Sequence, residues 1–495
     1  MLFRSEFKLS EKGSALAFLS VKNEWPKGYL SRKEAKKEKK QEKKKGKVKT
    51  DGKLLTFLDP VSKDKKCVKH VTQFELSKDG KYALFVQQEK FKKDSVRLGI
   101  YDFTKKEIWL DKKRVSEYAG LNFSGKSTTI LGLATVDTTS DKRWSMFLIH
   151  PDTKEFKQLL DTSRSFANDE VLSSAFKPYL NNNDSDVFFG VADRPEKPFK
   201  DTLLESEKSK VDLWHWKDDR LMPQQLVELK RDQNRTNLAV YHLNSGQTVV
   251  LGNDSLYLQS SERFNQEVIL AACDAAYRYQ TWNTSNPTNY YLIRVSDGKM
   301  TTLREKVYTR GYLSPDGKQF VYWNHLAKNY YLMYTDSQIE ECITCSWKGN
   351  FFEDKNGMIE EDDPMGIIGW GAQGQIYVQA ENDIVSYTPG SNNPVSFTAF
   401  LRISDQDTNY RYSLYNLNAD SAVYYPENML MTRFSKTTKM MDVYRVGDPS
   451  SRRDFELISG SGHDYFNFTK AKKSDRIIFN RSSNSDFPDL FATAK

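Results

Sequence analysis

The chain has 495 residues, far more than one small core requires, so it is several domains or one large repetitive architecture, and it is neither a peptide nor a disulfide mini-scaffold. Its 74 Lys/Arg and 66 Asp/Glu give a net charge of +8, which raises nucleic acid or an anionic membrane as a partner. That excess sits in one place: residues 32–49 contain 11 Lys/Arg and 3 Glu, which leaves 63 basic against 63 acidic residues elsewhere. The run has no interleaved aromatics and no Arg-led base-reading pattern, so it reads as a solvated insertion (residues 31–50), and no nucleic-acid partner is expected.

Hydrophobic residues make up 38% of the chain and aromatics 13%, a balance that favours strands over helices. The longest apolar stretches, at residues 15–19 and 268–273, fall short of the roughly 18 residues a membrane helix needs, and no transmembrane segment is expected. Residues 1–6 lack the basic, apolar and small-residue regions of an export signal, so localisation is not set by the chain itself.

In chain order, the informative signal is a recurring unit: an aromatic strand, a turn built on Ser-x-Asp-Gly-Lys, and a second strand rich in Tyr, Phe and Val. The clearest copies are centred on Ser77-Lys78-Asp79-Gly80-Lys81 and Ser314-Pro315-Asp316-Gly317-Lys318. Weaker copies fall at residues 7–19, 121–133, 414–425 and 466–479. Glycine accepts a positive φ and aspartate bonds its own backbone, so the chain can reverse tightly there. A second turn type follows at residues 100–106, 148–154, 240–246 and 293–299. Two hairpins per unit make four strands, and a period near 40 to 60 residues predicts a β-propeller blade. Asp-Gly hairpins also occur in arrays of β-sandwiches, but two turn types in fixed order favour the propeller. The expected fold is all-β, a propeller of about seven or eight four-stranded blades over residues 1–495, with the first and last blades incomplete. Helical signal is sparse, and its strongest segment, residues 31–49, has no apolar face. Residues 181–210 read as one long polar connection, and Glu360-Glu361-Asp362-Asp363-Pro364 as a solvated acidic turn.

Sequence motifs for chemistry are missing. There is no G-x-S-x-G, H-E-x-x-H or EF-hand pattern, and Ser459-Gly460-Ser461-Gly462-His463 has the wrong spacing for a nucleophile elbow. The six histidines (His70, His150, His215, His242, His325, His463) have no neighbouring Ser or Cys in an activating context. Of four cysteines, Cys342 and Cys345 form a lone C-x-x-C without zinc-spaced partners; with Cys67 and Cys273 they read as ordinary buried or loosely paired thiols. The sequence therefore assigns no catalytic residue, no cofactor-binding residue, no metal ligand and no cofactor.

The segment with most individuality is Val211-Asp212-Leu213-Trp214-His215-Trp216-Lys217-Asp218-Asp219-Arg220-Leu221-Met222-Pro223-Gln224-Gln225. Read as a strand, it places Trp214 and Trp216 on one face, as core anchors more than as substrate contacts. The string resembles a stretch in the propeller part of large bacterial peptidases of the prolyl oligopeptidase family, of Bacteroidetes type. The Ser-x-Asp-Gly-Lys turns, the Lys-rich insertion and the run from Asn480 to Phe491 are similar too; in the family that last run precedes the crossing to the hydrolase domain. The resemblance implies a non-catalytic propeller that caps an α/β-hydrolase domain and admits peptide substrates, with that domain outside this chain. It also implies a periplasmic or secreted enzyme. The Asp-Trp-x-x-Glu-Glu pattern by which dipeptidyl peptidases hold a substrate amino terminus is not found, so no functional residue transfers. The alternative is a stand-alone propeller that binds a protein or peptide.

Overall fold

The computed structural model describes residues 6–10, 13–20, 53–60, 62–89, 92–166, 169–195, 207, 214–259, 267–280, 286–353, 363–391, 393–399, 408–418, 420–446, 456–459, 462–472 and 474–493. The Lys-rich insertion and Glu360 to Asp362 of the acidic turn lie outside these residues. The chain divides into two compact units, Met1–Leu213 with Leu226–Asp254, and Trp214–Gln225 with Ser255–Lys495.

The fold is all-β, a succession of blade-type antiparallel sheets of the β-propeller kind. In the first unit a seven-stranded sheet is followed by sheets of four and five strands. The seven-stranded sheet is two blades sharing one strand, Lys65–Leu76. The first part of that strand pairs with Lys53–Leu58 and the second with Tyr82–Glu89. Between the two parts His70 takes φ 62° and the register shifts after Val71, so the chain kinks from one blade into the next. The second unit holds sheets of four, four, five and four strands, a two-stranded ladder, and a final sheet of three described strands.

Central strands such as Tyr82–Glu89, Ile130–Thr135 and Asp186–Ala192 are buried along nearly their whole length, so both faces of each sheet need cover. Neighbouring sheets supply it. In the first unit Leu84, Leu98 and Ile100 pack with Tyr118, Ile130 and Phe147 of the next sheet. In the second, Val321, Trp323 and Tyr330 pack with Trp370, Ile376 and Val378.

The Ser-x-Asp-Gly-Lys turns close as paired networks. Ser77 Oγ donates to Asp79 Oδ1 at 2.6 Å and accepts from Tyr82 N at 2.8 Å, while Lys81 N donates to Asp79 Oδ1 at 3.0 Å. Ser314 repeats the arrangement, with Oγ 2.5 Å from Asp316 Oδ1 and 2.9 Å from Gln319 N. Gly80 and Gly317 both take φ 74°. In the second turn type the left-handed position is filled by Lys106 and Lys154 as readily as by Gly246 and Gly298.

Three expectations need correction. Residues 181–210 do not form one loop: Asn181 to Ser185 make a tight turn into the strand Asp186–Ala192, which pairs with Asn237–His242. Residues 414–425 are not a hairpin copy, because Tyr410–Asn416 pairs with Met429–Ser435 and Val423–Tyr424 crosses to pair in parallel with Trp370 and Gly371 of the preceding sheet. A helix, Met222–Gln233, was not anticipated. Pro223 suits its first turn, and Lys230 and Arg231 complement the dipole in its last. None of its residues is buried, so no apolar stripe was required of the sequence.

Gly317→Ala is expected to cost roughly 1–3 kcal/mol in urea unfolding, since φ is unfavourable for a side chain and the new Cβ would lie 2.3 Å from Val268 Cγ2. Unchanged stability would show that this turn relaxes freely.

Candidate functional site

The segment singled out by sequence is surface. Trp214 is 65% and Trp216 84% exposed, and Trp214 through Leu221 form turns instead of a strand. The expectation that the two indoles are core anchors is overturned, because among the described residues no strand pairs with the segment and four charged residues, Lys217 to Arg220, follow at once. His215 stacks beside Trp216 with ring centroids 6.2 Å apart, and Lys217 Nζ lies 5.1 Å from the Trp216 ring. Leu221 is exposed as well. Trp214, Trp216 and Leu221 make an aromatic ledge.

Arg278 anchors the ledge. Arg278, only 15% exposed, donates from Nη1 to Asp219 Oδ2 at 3.2 Å and from Nε to Asp274 Oδ1 at 2.8 Å. Its Nη2 reaches the Tyr257 hydroxyl at 3.2 Å. Burial works against the guanidinium charge, but hydrogen bonds to Asp274 and Asp219 more than offset it and raise its pKa. The ledge offers π faces and apolar area to a ligand.

An Asp–His pair lies elsewhere, in the first unit. Asp186 and His242 face each other across adjacent strands, with His242 Nδ1 2.6 Å from Asp186 Oδ1. Among the described residues His242 Nε2 is buried and has no hydrogen-bond partner. Ser185 Oγ is close, but it donates to Asp186 Oδ2 at 2.6 Å, and Asn181 Nδ2 donates to the same oxygen at 2.8 Å. Serine and histidine thus both bind the carboxylate, whereas a nucleophilic triad needs histidine between serine and aspartate. Sequence reasoning did not find this pair, since residues 56 apart meet only through strand register.

Other polar concentrations are structural in form. Tyr82 donates to Asp152, which also receives Lys81 Nζ at 3.0 Å. Hydrogen bonds from Tyr82 and Lys81 lower the Asp152 pKa; burial, then the bond to Asp152, raises that of Tyr82; and burial lowers that of Lys154 nearby. A cavity of about 310 Å³ is lined by Glu117, Lys142, Trp144, Ser173 and Asp193. Glu117 and Lys142 pair with each other there, so the two charges are already matched. Among the described residues no group of three or more His, Cys, Asp or Glu could hold a metal ion. No described helix is long and apolar enough to cross a membrane. Cys342 and Cys345 are joined as a disulfide, and Cys67 and Cys273 are free.

No protein-family profile matches the chain, and no curated protein matches it. Among solved structures it is similar to the β-propeller domain of the Trilobed protease from Pyrococcus furiosus, at 8% identity and TM-score 0.31, covering 100% of this chain and 94% of that one. It is similar to a prolyl endopeptidase at 10% identity and TM-score 0.35, covering 84% of this chain and 54% of that one. Against dipeptidyl peptidase 4 of Porphyromonas gingivalis the identity is 9%, the TM-score 0.36 and the coverage 96% and 64%. The chain thus spans less than two thirds of the length of these two peptidases. Likeness at this level carries no conclusion about residues or activity.

Trp216→Ala is expected to change unfolding free energy by no more than about 0.5 kcal/mol. Trp323→Ala, at a site 2% exposed, should cost about 3–5 kcal/mol. Equal losses in urea titrations would show that the ledge is packed after all.

Proposed function

We propose that the chain is the non-catalytic β-propeller part of a prolyl-oligopeptidase-like serine peptidase, whose blades limit access to a hydrolase domain so that peptides enter and folded proteins do not. The observation that carries this reading is the segment from Trp214 to Gln225. Its residues resemble the family's propeller stretch, and they stand at the surface, held by Asp219 and Arg278. A rigid blade array that lends aromatic surface and no nucleophile suits a selecting role, because selection requires shape and contact only.

A second reading is a stand-alone propeller that binds a protein or peptide. The exposed Trp214, Trp216 and Leu221 favour it, since apolar groups at the surface serve binding without chemistry.

The test compares hydrolysis of chromogenic proline-containing peptides by this chain and by the product of the complete reading frame. We expect no turnover by the chain and serine-reagent-sensitive turnover by the longer product. A reading frame without a hydrolase domain bearing G-x-S-x-G would overturn the peptidase reading. Serine-reagent-sensitive turnover by the chain alone would overturn the non-catalytic assignment. The second reading predicts that peptide binding quenches indole fluorescence, and that quenching falls at least tenfold in affinity when Trp214→Ala and Trp216→Ala are combined, about 1.4 kcal/mol.

A further inference from the structure

The corner that follows the strand Glu340–Cys342 contains the Cys342–Cys345 disulfide. With a sequence separation of 3, the bond closes a very short loop, and so small a loop removes little entropy from the unfolded chain. Backbone and side-chain hydrogen bonds hold the corner independently of it. Ile343 N donates to Tyr330 O at 3.0 Å, and Trp347 N donates to Thr344 O at 3.0 Å. Thr344 Oγ1 accepts from Tyr330 N at 2.9 Å and donates to Asn329 Oδ1 at 2.8 Å. Ile343 and Thr344, the two residues between the cysteines, are both buried. None of these bonds uses sulfur, so none of them depends on the disulfide being closed.

The two sulfurs are not equivalent. Cys345 is exposed and Cys342 half-buried, so a reagent in solution meets Cys345 first. Cys345 N–H points at Cys342 Sγ at 3.1 Å, and the Tyr331 hydroxyl lies 3.9 Å from Cys345 Sγ. In thiol–disulfide exchange the entering thiolate bonds to one sulfur while the other leaves with the electron pair, and a better-stabilised leaving thiolate departs faster. The N–H donor is placed to stabilise negative charge on Cys342.

We propose that Cys342–Cys345 is a reversible thiol–disulfide exchange site, attacked at Cys345 by small thiols and dithiols, with Cys342 as the leaving sulfur. The entering thiolate forms a bond to Cys345 Sγ as the bond between the cysteines breaks, and the Cys342 thiolate then takes a proton from water. When the reagent is a dithiol, its second thiol loses a proton and attacks the reagent sulfur bound to Cys345. The reagent leaves as a cyclic disulfide and the Cys345 thiolate is protonated. Two electrons pass from the dithiol to the protein, and an oxidised disulfide of the same class reverses the change.

The test uses the full chain under native conditions. It is treated with glutathione or dithiothreitol, quenched with acid, alkylated and mapped by peptide mass, with the free Cys67 and Cys273 as internal references. Glutathione is expected to leave its adduct on Cys345 and an alkylated Cys342. Dithiothreitol is expected to expose both cysteines to alkylation while the β-sheet circular dichroism is unchanged, and glutathione disulfide should close the pair again. An adduct on Cys342 in place of Cys345, opening only after denaturant is added, or loss of the β-sheet signal on opening would each overturn the proposal.

Discussion

Burial of the central strands on both faces is the constraint from which the architecture follows. A strand such as Ile130–Thr135, buried at every residue, cannot belong to a sheet with one face in water. A single four-stranded sheet of this kind would expose apolar area on two sides, at about 25 cal/mol for each Å² left uncovered. It is stable only between neighbours, and each neighbour carries the same requirement. Repetition is therefore a physical necessity, and the apolar clusters bear it out by lying between consecutive sheets. Leu131, Leu133 and Met146 pack with Val187, Phe189 and Ala239, just as Tyr377 and Ile384 pack with Tyr412 and Met431.

Given that stacking, the turns must reverse within few residues and leave no buried polar group unmet. The serine of the Ser-x-Asp-Gly-Lys turn meets both needs. Ser77 is fully buried and Ser314 nearly so, yet each hydroxyl both donates and accepts. Removing such a hydroxyl would orphan a backbone N–H, so the serine is as much a part of the turn as the glycine beside it. Ion pairs such as Arg304 with Glu340 are half in water and contribute little individually.

Legibility in the sequence follows the same physics. The hairpins at Ser77 and Ser314 could be read because glycine at positive φ and a side-chain network demand particular residues at particular spacing. The turns at Lys106 and Lys154 were placed correctly from strand patterns on either side, although a lysine in the left-handed region carries no residue-type signal. Residues 414–425 were misread because the apolar pair Val423–Tyr424 serves the preceding sheet, and a short apolar run does not state which sheet it joins. The helix Met222–Gln233 buries nothing and so left no periodicity to read. The Asp186–His242 contact and the Cys342–Cys345 bond depend on register and on oxidation state, which composition and spacing do not encode.

The places where reading failed are the places where the repeat is interrupted. A blade has to satisfy its neighbours at nearly every position, so a residue inside it is explained by packing once its cluster is known. Trp214, Trp216 and Cys345 are under no such demand, and there the chain spends large or reactive side chains on solvent. An indole 84% exposed gains no burial energy in the isolated chain, and a disulfide that closes so short a loop gains little from chain entropy. Neither feature is accounted for by folding. Both are held in fixed positions by bonds independent of their own groups, Asp219 to Arg278 for the ledge and Thr344 to Asn329 and Tyr330 for the corner. Rigid support for a group that does not repay it in stability is what a contact with something outside the chain requires.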